Sequence, residues 1–441
     1  MLKKIRTISA ALMLLCGMAA CLPEYNTQHD INIARFYFRA SDTAPDINSI
    51  EFAVDTVAMT ITNADSLAFT SSLAQVVPVI ECYSVPSAIA INGVEWNQTD
   101  TLDLSVQPVK VTIIGSDKVT SCDYILTINQ HKVDPDSIIW TNMGEMFADL
   151  SGADDIYAVQ AGNRCYMAAS SQQGGVMIVS DNGNDWEVSA EYEYDENINI
   201  RTMNVLFAAD DLSSGRLFAI GDNQVYEWSE TEWAVSKQAD ENYACLDVLG
   251  SVDGRLAVLV RNEQDNLLYI MELDNGQWKI CDTPLYANDF PVAGSAKISN
   301  AGVPFLLGGC NASGGYVGTV YSSMDLSYWT NLLTPAADFG FGNRAEAAAF
   351  FVDGKWFLSG GLTADGSTST DMYYSADNCY SWNAVPAKQT LPQEYGARRG
   401  VSAFVSADEN IWLVGGRAEG DVYPKLDLWR GRMNKSDFLI R

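Results

Sequence analysis

Residues Ser375-Ala376-Asp377-Asn378-Cys379-Tyr380-Ser381-Trp382 (SADNCYSW) end on the last of six tryptophans that recur in similar settings. Trp140, Trp186, Trp233, Trp278, Trp329 and Trp382 stand in SIIWTNM, GNDWEVS, ETEWAVS, NGQWKIC, LSYWTNL and CYSWNAV, at separations of 46, 47, 45, 51 and 53 residues. A period of this length is that of repeated four-stranded sheets arranged radially. Between tryptophans lie three short apolar segments divided by turns, such as EAAAFFV, KWFLSGG and DMYYSADN before Trp382, or GSAKIS, VPFLLGG and VGTVYSS before Trp329. Their brevity, turn spacing and aromatic content are those of strands. After Trp382 come GVSAFVS, NIWLVGG and KLDLWRGRM with no fourth segment, while an unassigned strand surrounds Trp140. The spacing therefore predicts that the strand around Trp140 completes the last sheet, giving a six-bladed β-propeller over residues 137–441 with no unpaired edge.

Upstream, NIARFYF, SIEFAV, VAMTIT, VVPVIECY, AIAINGV, LDLS, VKVTIIG and DYILTIN are short, β-branched and separated by Asp, Asn, Gly or Pro. They predict a β-sandwich over residues 30–131, joined to the propeller by a stiff polar linker at 132–136, so that the whole chain is all-β.

The chain has 441 residues, 47% of them apolar and 19% charged, which suits two globular domains. A formal charge of −29 excludes nucleic acid as a partner, since phosphate binding depends on Lys and Arg. MLKKIRTISAALMLLCGMAAC, at the N-terminus, has the basic start, apolar stretch and small residues of a secretory signal over residues 1–20. Met18-Ala19-Ala20-Cys21 resembles a bacterial lipobox, which implies lipidation of Cys21, a tether over residues 21–29 and membrane attachment through the lipid alone. Of the seven cysteines beyond Cys21, Cys82 and Cys122 are the pair to test for a disulfide, because both fall in strands of the first domain.

Gly308-Gly309, Gly360-Gly361 and Gly415-Gly416, each ending a second strand, resemble kelch repeats. SADNCYSW and VSDNGNDW resemble Asp-boxes of the sialidase type, with Asp377 and Asp181 as the turn aspartates, and SSMDLSYW with Asp325 is a shorter version. CDYILTIN is similar to the closing strand of bacterial immunoglobulin-like modules. Together with the signal, the chain resembles Bacteroidetes lipoproteins that join an immunoglobulin-like domain to a propeller.

The resemblance to sialidases stops at the turn, because the Phe/Tyr-Arg-Ile-Pro motif of those enzymes is absent. The only histidines, His29 and His131, precede the propeller, which removes kelch-type copper chemistry and histidine-dependent triads. No cofactor is indicated, although so acidic a chain can still hold structural calcium. Recognition is expected on the face opposite the Asp-boxes, whose loops carry Tyr192, Tyr194, Tyr286, Phe290, Phe339, Phe341 and Tyr395 beside Arg201, Arg344, Arg398 and Arg399. Rings there can stack on sugars or anchor a protein, and arginines accept carboxylates. The expected function is an outer-membrane lipoprotein whose rim binds a glycan or an envelope protein. A glycoside hydrolase or lyase using paired rim carboxylates, and a structural scaffold, are the alternatives.

Overall fold

The computed structural model describes residues 31–145, 147, 150–171, 174–192, 198–333 and 340–434. The chain divides into two compact units at Pro135/Asp136.

In the first unit, Ile33–Phe38 pairs with Pro78–Cys82 in a two-stranded sheet. A six-stranded sheet runs in the order Phe52–Asp55, Thr60–Asn63, Ser121–Thr127, Val109–Ile114, Ala88–Ile91 and Val94–Trp96. Its second and third strands are parallel. Alternation drives the packing: Val109, Val111 and Ile113 are buried while Lys110 is exposed, as period-two side chains require. The two sheets share one core holding Phe36, Phe38, Ile61, Val111 and Tyr124. LDLS, at residues 102–105, is not a strand; Leu102 makes only an isolated bridge to Val76. Cys82 and Cys122 are not joined in a disulfide, and Cys122 Sγ lies 3.6 Å from Asn32 Oδ1.

Among the described residues, the second unit contains six four-stranded antiparallel sheets and two short two-stranded ones. The first strands of the six are Asp155–Ala161, Ile198–Ala208, Tyr243–Val252, Ala296–Asn300, Ala348–Val352 and Arg399–Val405. Each of the six is a simple meander except the sixth, whose outer strand is Ile138–Asn142. That strand pairs with Leu428–Met433 in the register Met433↔Ile138, Gly431↔Trp140 and Trp429↔Asn142. An early segment thus supplies the backbone partners that a late one would otherwise lack.

Six apolar clusters fill the spaces between neighbouring sheets, including the space between the sixth and the first. Leu206, Phe218 and Val225 of the second sheet meet Val248, Val258 and Met271 of the third, and Phe404 and Trp412 of the sixth meet Ile156 and Met167 of the first. First strands contact one another in the same cyclic order. They line a central channel.

Candidate functional site

Strand register assigns the two ends of the channel. In the first sheet Asp155 opposes Ser170 at one end, whereas Ala161 opposes Arg164 and Cys165 opposes Ser180 at the other. The turn after Ser180 therefore lies at the end away from Asp155.

The turns at that far end are built from short polar side chains bonding their own backbone. Ser375 Oγ accepts from Cys379 N–H at 3.0 Å, and Asp377 Oδ1 accepts from Ser381 N–H at 2.9 Å. In SSMDLSYW, Ser323 and Asp325 accept from Leu326 and Tyr328 at 2.8 and 2.9 Å. In VSDNGNDW the acceptor is Asn182, not Asp181: Asn182 Oδ1 takes the N–H groups of Asn184 and Asp185, both at 2.8 Å. Asp181 instead turns outward to Arg164 at 2.7 Å. The reason is position, since Asn182, Asp325 and Asp377 each stand two residues after the serine.

Toward the opposite end, each sheet places one charged residue in the first half of its first strand or just before it, and the signs alternate: Asp155, Arg201, Asp247, Lys297, Glu346 and Arg399. They form three ion pairs. Arg201 grips Asp155 through Nε and Nη2, both at 2.6 Å. Lys297 Nζ meets Asp247 at 2.8 Å with both side chains buried, and Arg399 meets Glu346 at 2.9 Å with both about one-third exposed. Arg417 adds a second cation on Asp155 at 3.2 Å. Burial pushes the Asp247 carboxyl up from the ordinary value, against the opposing pull of the Lys297 ammonium.

Arg201 owes its position to a bulge. Asn199 pairs with Ile220 and Asn204 with Phe218, so four residues, 200–203, stand against Ala219. Bulges re-aim side chains in this way. The guanidinium reaches past Asp155 of the first sheet to the Gly400 carbonyl of the sixth at 3.3 Å, while Lys297 of the fourth donates to the Arg201 carbonyl at 3.2 Å. Gly400 has φ +65° and a Cβ there would meet the Arg201 guanidinium, which together favour glycine at this position. Below this ring is a cavity of about 580 Å³, lined by polar Asn199, Asn204 and Ser402 and by apolar Met203, Phe350 and Val401 among others.

The remaining expected site residues are placed differently. Phe290, Phe341 and Tyr395 are buried and meet Trp329, Trp382 and Trp429 edge-on at ring separations of 5.9, 5.2 and 5.5 Å. Tyr192, half-buried, does the same with Trp228 at 5.5 Å. Arg344 and Arg398 are buried braces: Arg344 donates to the carbonyls of Phe341 and Gly360, and Arg398 to those of Tyr395 and Gly415. Arg398 also holds Asp427 at 2.6 Å. Asp427's carboxyl, which burial alone would raise, is held below the ordinary range by this arginine's hydrogen bonds and charge. Tyr286 is 73% exposed. Only Arg201 of this set lines the cavity among the described residues; Tyr194, Phe339 and Cys21 lie outside those residues.

The diglycines explain why Arg344 and Arg398 are fixed. Gly309 N–H donates to the Arg344 carbonyl at 2.8 Å and Gly361 N–H to that of Arg398 at 2.9 Å, each tying one sheet to the next. Gly360 has φ +68°, and a Cβ there would sit 2.7 Å from the Arg398 oxygen. Among the described residues, no group of three or more His, Cys, Asp or Glu side chains is arranged to hold a metal.

Residues 134–440 match the DUF6242 beta propeller domain, and residues 25–128 match the DUF6242 N-terminal domain. The chain belongs to the DUF6242 family. Its second unit is therefore a β-propeller. Among solved structures it is similar to that of YjhT, at 14% identity and a TM-score of 0.42, over 64% of this chain and 94% of that one. None of the curated proteins matches the chain.

Proposed function

We propose that this DUF6242 chain is a non-catalytic binding module of the bacterial cell envelope. In this reading the six sheets are the blades of a closed six-bladed propeller with kelch-like and Asp-box-like turns. An immunoglobulin-like sandwich precedes it, and a lipid on Cys21 tethers the whole to the outer membrane. The ligand, a glycan or an envelope protein, engages the channel mouth on the face away from the Asp-box-like turns.

The observation that carries the reading is the ring of charges above a cavity of about 580 Å³, a size typical of ligand pockets. Each of its three carboxylates is held by a cation. Hydrolysis of a glycosidic bond requires one carboxyl protonated and a second free to act as base or nucleophile. Carboxylates neutralised by Arg and Lys serve as fixed hydrogen-bond acceptors instead, which supports binding over turnover.

The test is a glycan array and an envelope-protein pull-down with the full chain, set against Glu346→Gln and Arg399→Gln. A ligand whose capture both variants weaken is expected. Capture that is indifferent to both, or turnover of a chromogenic sugar abolished by Glu346→Gln, would overturn the reading.

A further inference from the structure

The far end of the channel is not open in the way its mouth is. The first two strands of the second sheet, Ile198–Ala208 and Asp211–Gly221, are each 11 residues long, against 5 and 5 in the fourth and fifth sheets. The tip of this hairpin, residues 209–213, touches the first and the fourth sheet at the far end. Ser213 O accepts from Asn163 N–H of the first sheet at 3.2 Å. On the other side, a Cβ at Gly302 of the fourth sheet would lie 3.6 Å from Leu212. Leu212, Gly162 and Gly302 line the same cavity as Arg201 and Lys297. One sheet thus supplies both the floor, through its tip, and the central cation of the mouth, through its bulge.

We propose that the channel is a blind pocket for the end of an acidic glycan, with the carboxylate of the terminal sugar docked on Arg201. This rests on the reading of the propeller as a binding module and names its ligand class.

Charge favours an acidic sugar. The mouth holds Arg201, Lys297, Arg399 and Arg417 against Asp155, Asp247 and Glu346, an excess of one cation in a chain whose formal charge is −29. Arg201 has five N–H donors; among the described residues three are engaged, by the two Asp155 oxygens and the Gly400 carbonyl. One N–H on each Nη remains, and a carboxylate can take both. Among the described residues, Arg417 Nε is buried without a partner, and its Nη2 lies 3.2 Å from Asp155. The paired carboxylates of the ring are fixed acceptors for sugar hydroxyls, which a peptide terminus does not offer in number. The floor decides the geometry: with the Leu212 hairpin touching the first and the fourth sheet at the far end, a chain does not thread through and only an end is admitted.

The test is calorimetric titration of the full chain with free glucuronate, galacturonate and a nonulosonate, then with glucose and galactose, then with oligouronates of increasing length. At least one acidic sugar is expected to bind about tenfold or more tightly than its neutral counterpart. Stoichiometry is expected to stay at one or two protein molecules per oligosaccharide, one for each admissible end, whatever its length. Arg201→Lys keeps the charge and loses the planar fork, so it is expected to weaken that binding about tenfold with its thermal midpoint checked in parallel. Arg399→Gln, at a part-exposed position, is expected to weaken it about twofold to fivefold.

Equal affinity for neutral sugars, or protein bound in proportion to oligosaccharide length, would overturn the inference. So would binding of a peptide through its C-terminal carboxylate in the absence of any acidic-sugar binding. If only neutral glycans or a protein bind, and the mouth variants abolish it, the ligand class fails while the binding-module reading stands. If no ligand of any kind responds to the mouth variants, both fail.

Discussion

Replacing Lys297 by methionine isolates the least exposed ion pair of the ring. Lys297 and Asp247 side chains are 4% and 7% exposed and 2.8 Å apart. Methionine keeps an unbranched chain but removes the ammonium, leaving the Asp247 carboxylate buried without its counter-charge. Breaking a buried pair from one side costs about 3–5 kcal/mol. The sign of the pH dependence follows from Asp247, whose carboxyl burial already holds above its ordinary value. Such a group contributes fully below its unfolded pKa, about 3.9, and that contribution is lost as pH rises through the folded value. In Lys297→Met the lowering influence is gone, so the loss is expected to be full at pH 7–8 and to shrink as the pH falls toward the carboxylate range. Of 11 tryptophans only Trp96 precedes the propeller, so indole emission during urea unfolding reports the propeller unit. Asp247→Asn/Lys297→Met keeps an acceptor for the Val248 N–H, which Asp247 Oδ1 accepts at 2.9 Å, and is expected to recover most of the loss. A penalty below about 1 kcal/mol, or one that is flat between pH 5 and pH 8, would refute the reasoning.

Three further outcomes follow from the same geometry. Gly360→Ala combines a positive φ with a Cβ 2.7 Å from the Arg398 oxygen, whereas Gly366→Ala, at φ +83°, meets open space; the first is expected to lower the propeller's thermal midpoint clearly more than the second, whose strain is about 1–2 kcal/mol. Asp427→Asn leaves Arg398 buried without its counter-charge, at a cost of about 3–5 kcal/mol at neutral pH. Because the folded Asp427 pKa is depressed, its contribution is present above about 3.9 and lost as acid titrates the folded group, so the gap to the parent in urea midpoints should narrow only at the acid end. Burial pushes Cys165 up to about 12 and raises Cys379 further; a thiol reagent at pH 8 is expected to spare both until the protein unfolds, as mass mapping of the labelled sites would show.

The propeller was legible because its tryptophans do one job repeatedly. Trp186, Trp329 and Trp382 each follow a serine-initiated turn and pack edge-on against a neighbouring ring, and the first of them does so although its second strand does not end in a diglycine. The mouth was harder to see. Phe290, Phe341 and Tyr395 look like exposed rings because they sit in polar loops, yet an indole lies under each loop and burial against it outweighs exposure to water. Arg344 and Arg398 look free for the same reason and are spent on carbonyls. A signal for the ring is present in retrospect: Asp155, Arg201, Asp247, Lys297, Glu346 and Arg399 follow successive repeat tryptophans by 14 to 19 residues with alternating sign. Acidic residues are so common in this chain that no single member stands out. The bulge that carries Arg201 inward and the reach of the Leu212 hairpin depend on register and strand length, which residue types do not encode locally.

The cyclic arrangement on which the mouth depends is tested by linking its two ends. Ile139 and Arg432 are paired neighbours on the strands that close the sixth sheet. With Ile139→Cys/Arg432→Cys in a background lacking the other cysteines, oxidation is expected to give an intramolecular disulfide in the monomer and to raise the propeller's unfolding midpoint. Thiols that stay free, or join only between molecules, would contradict the closed ring.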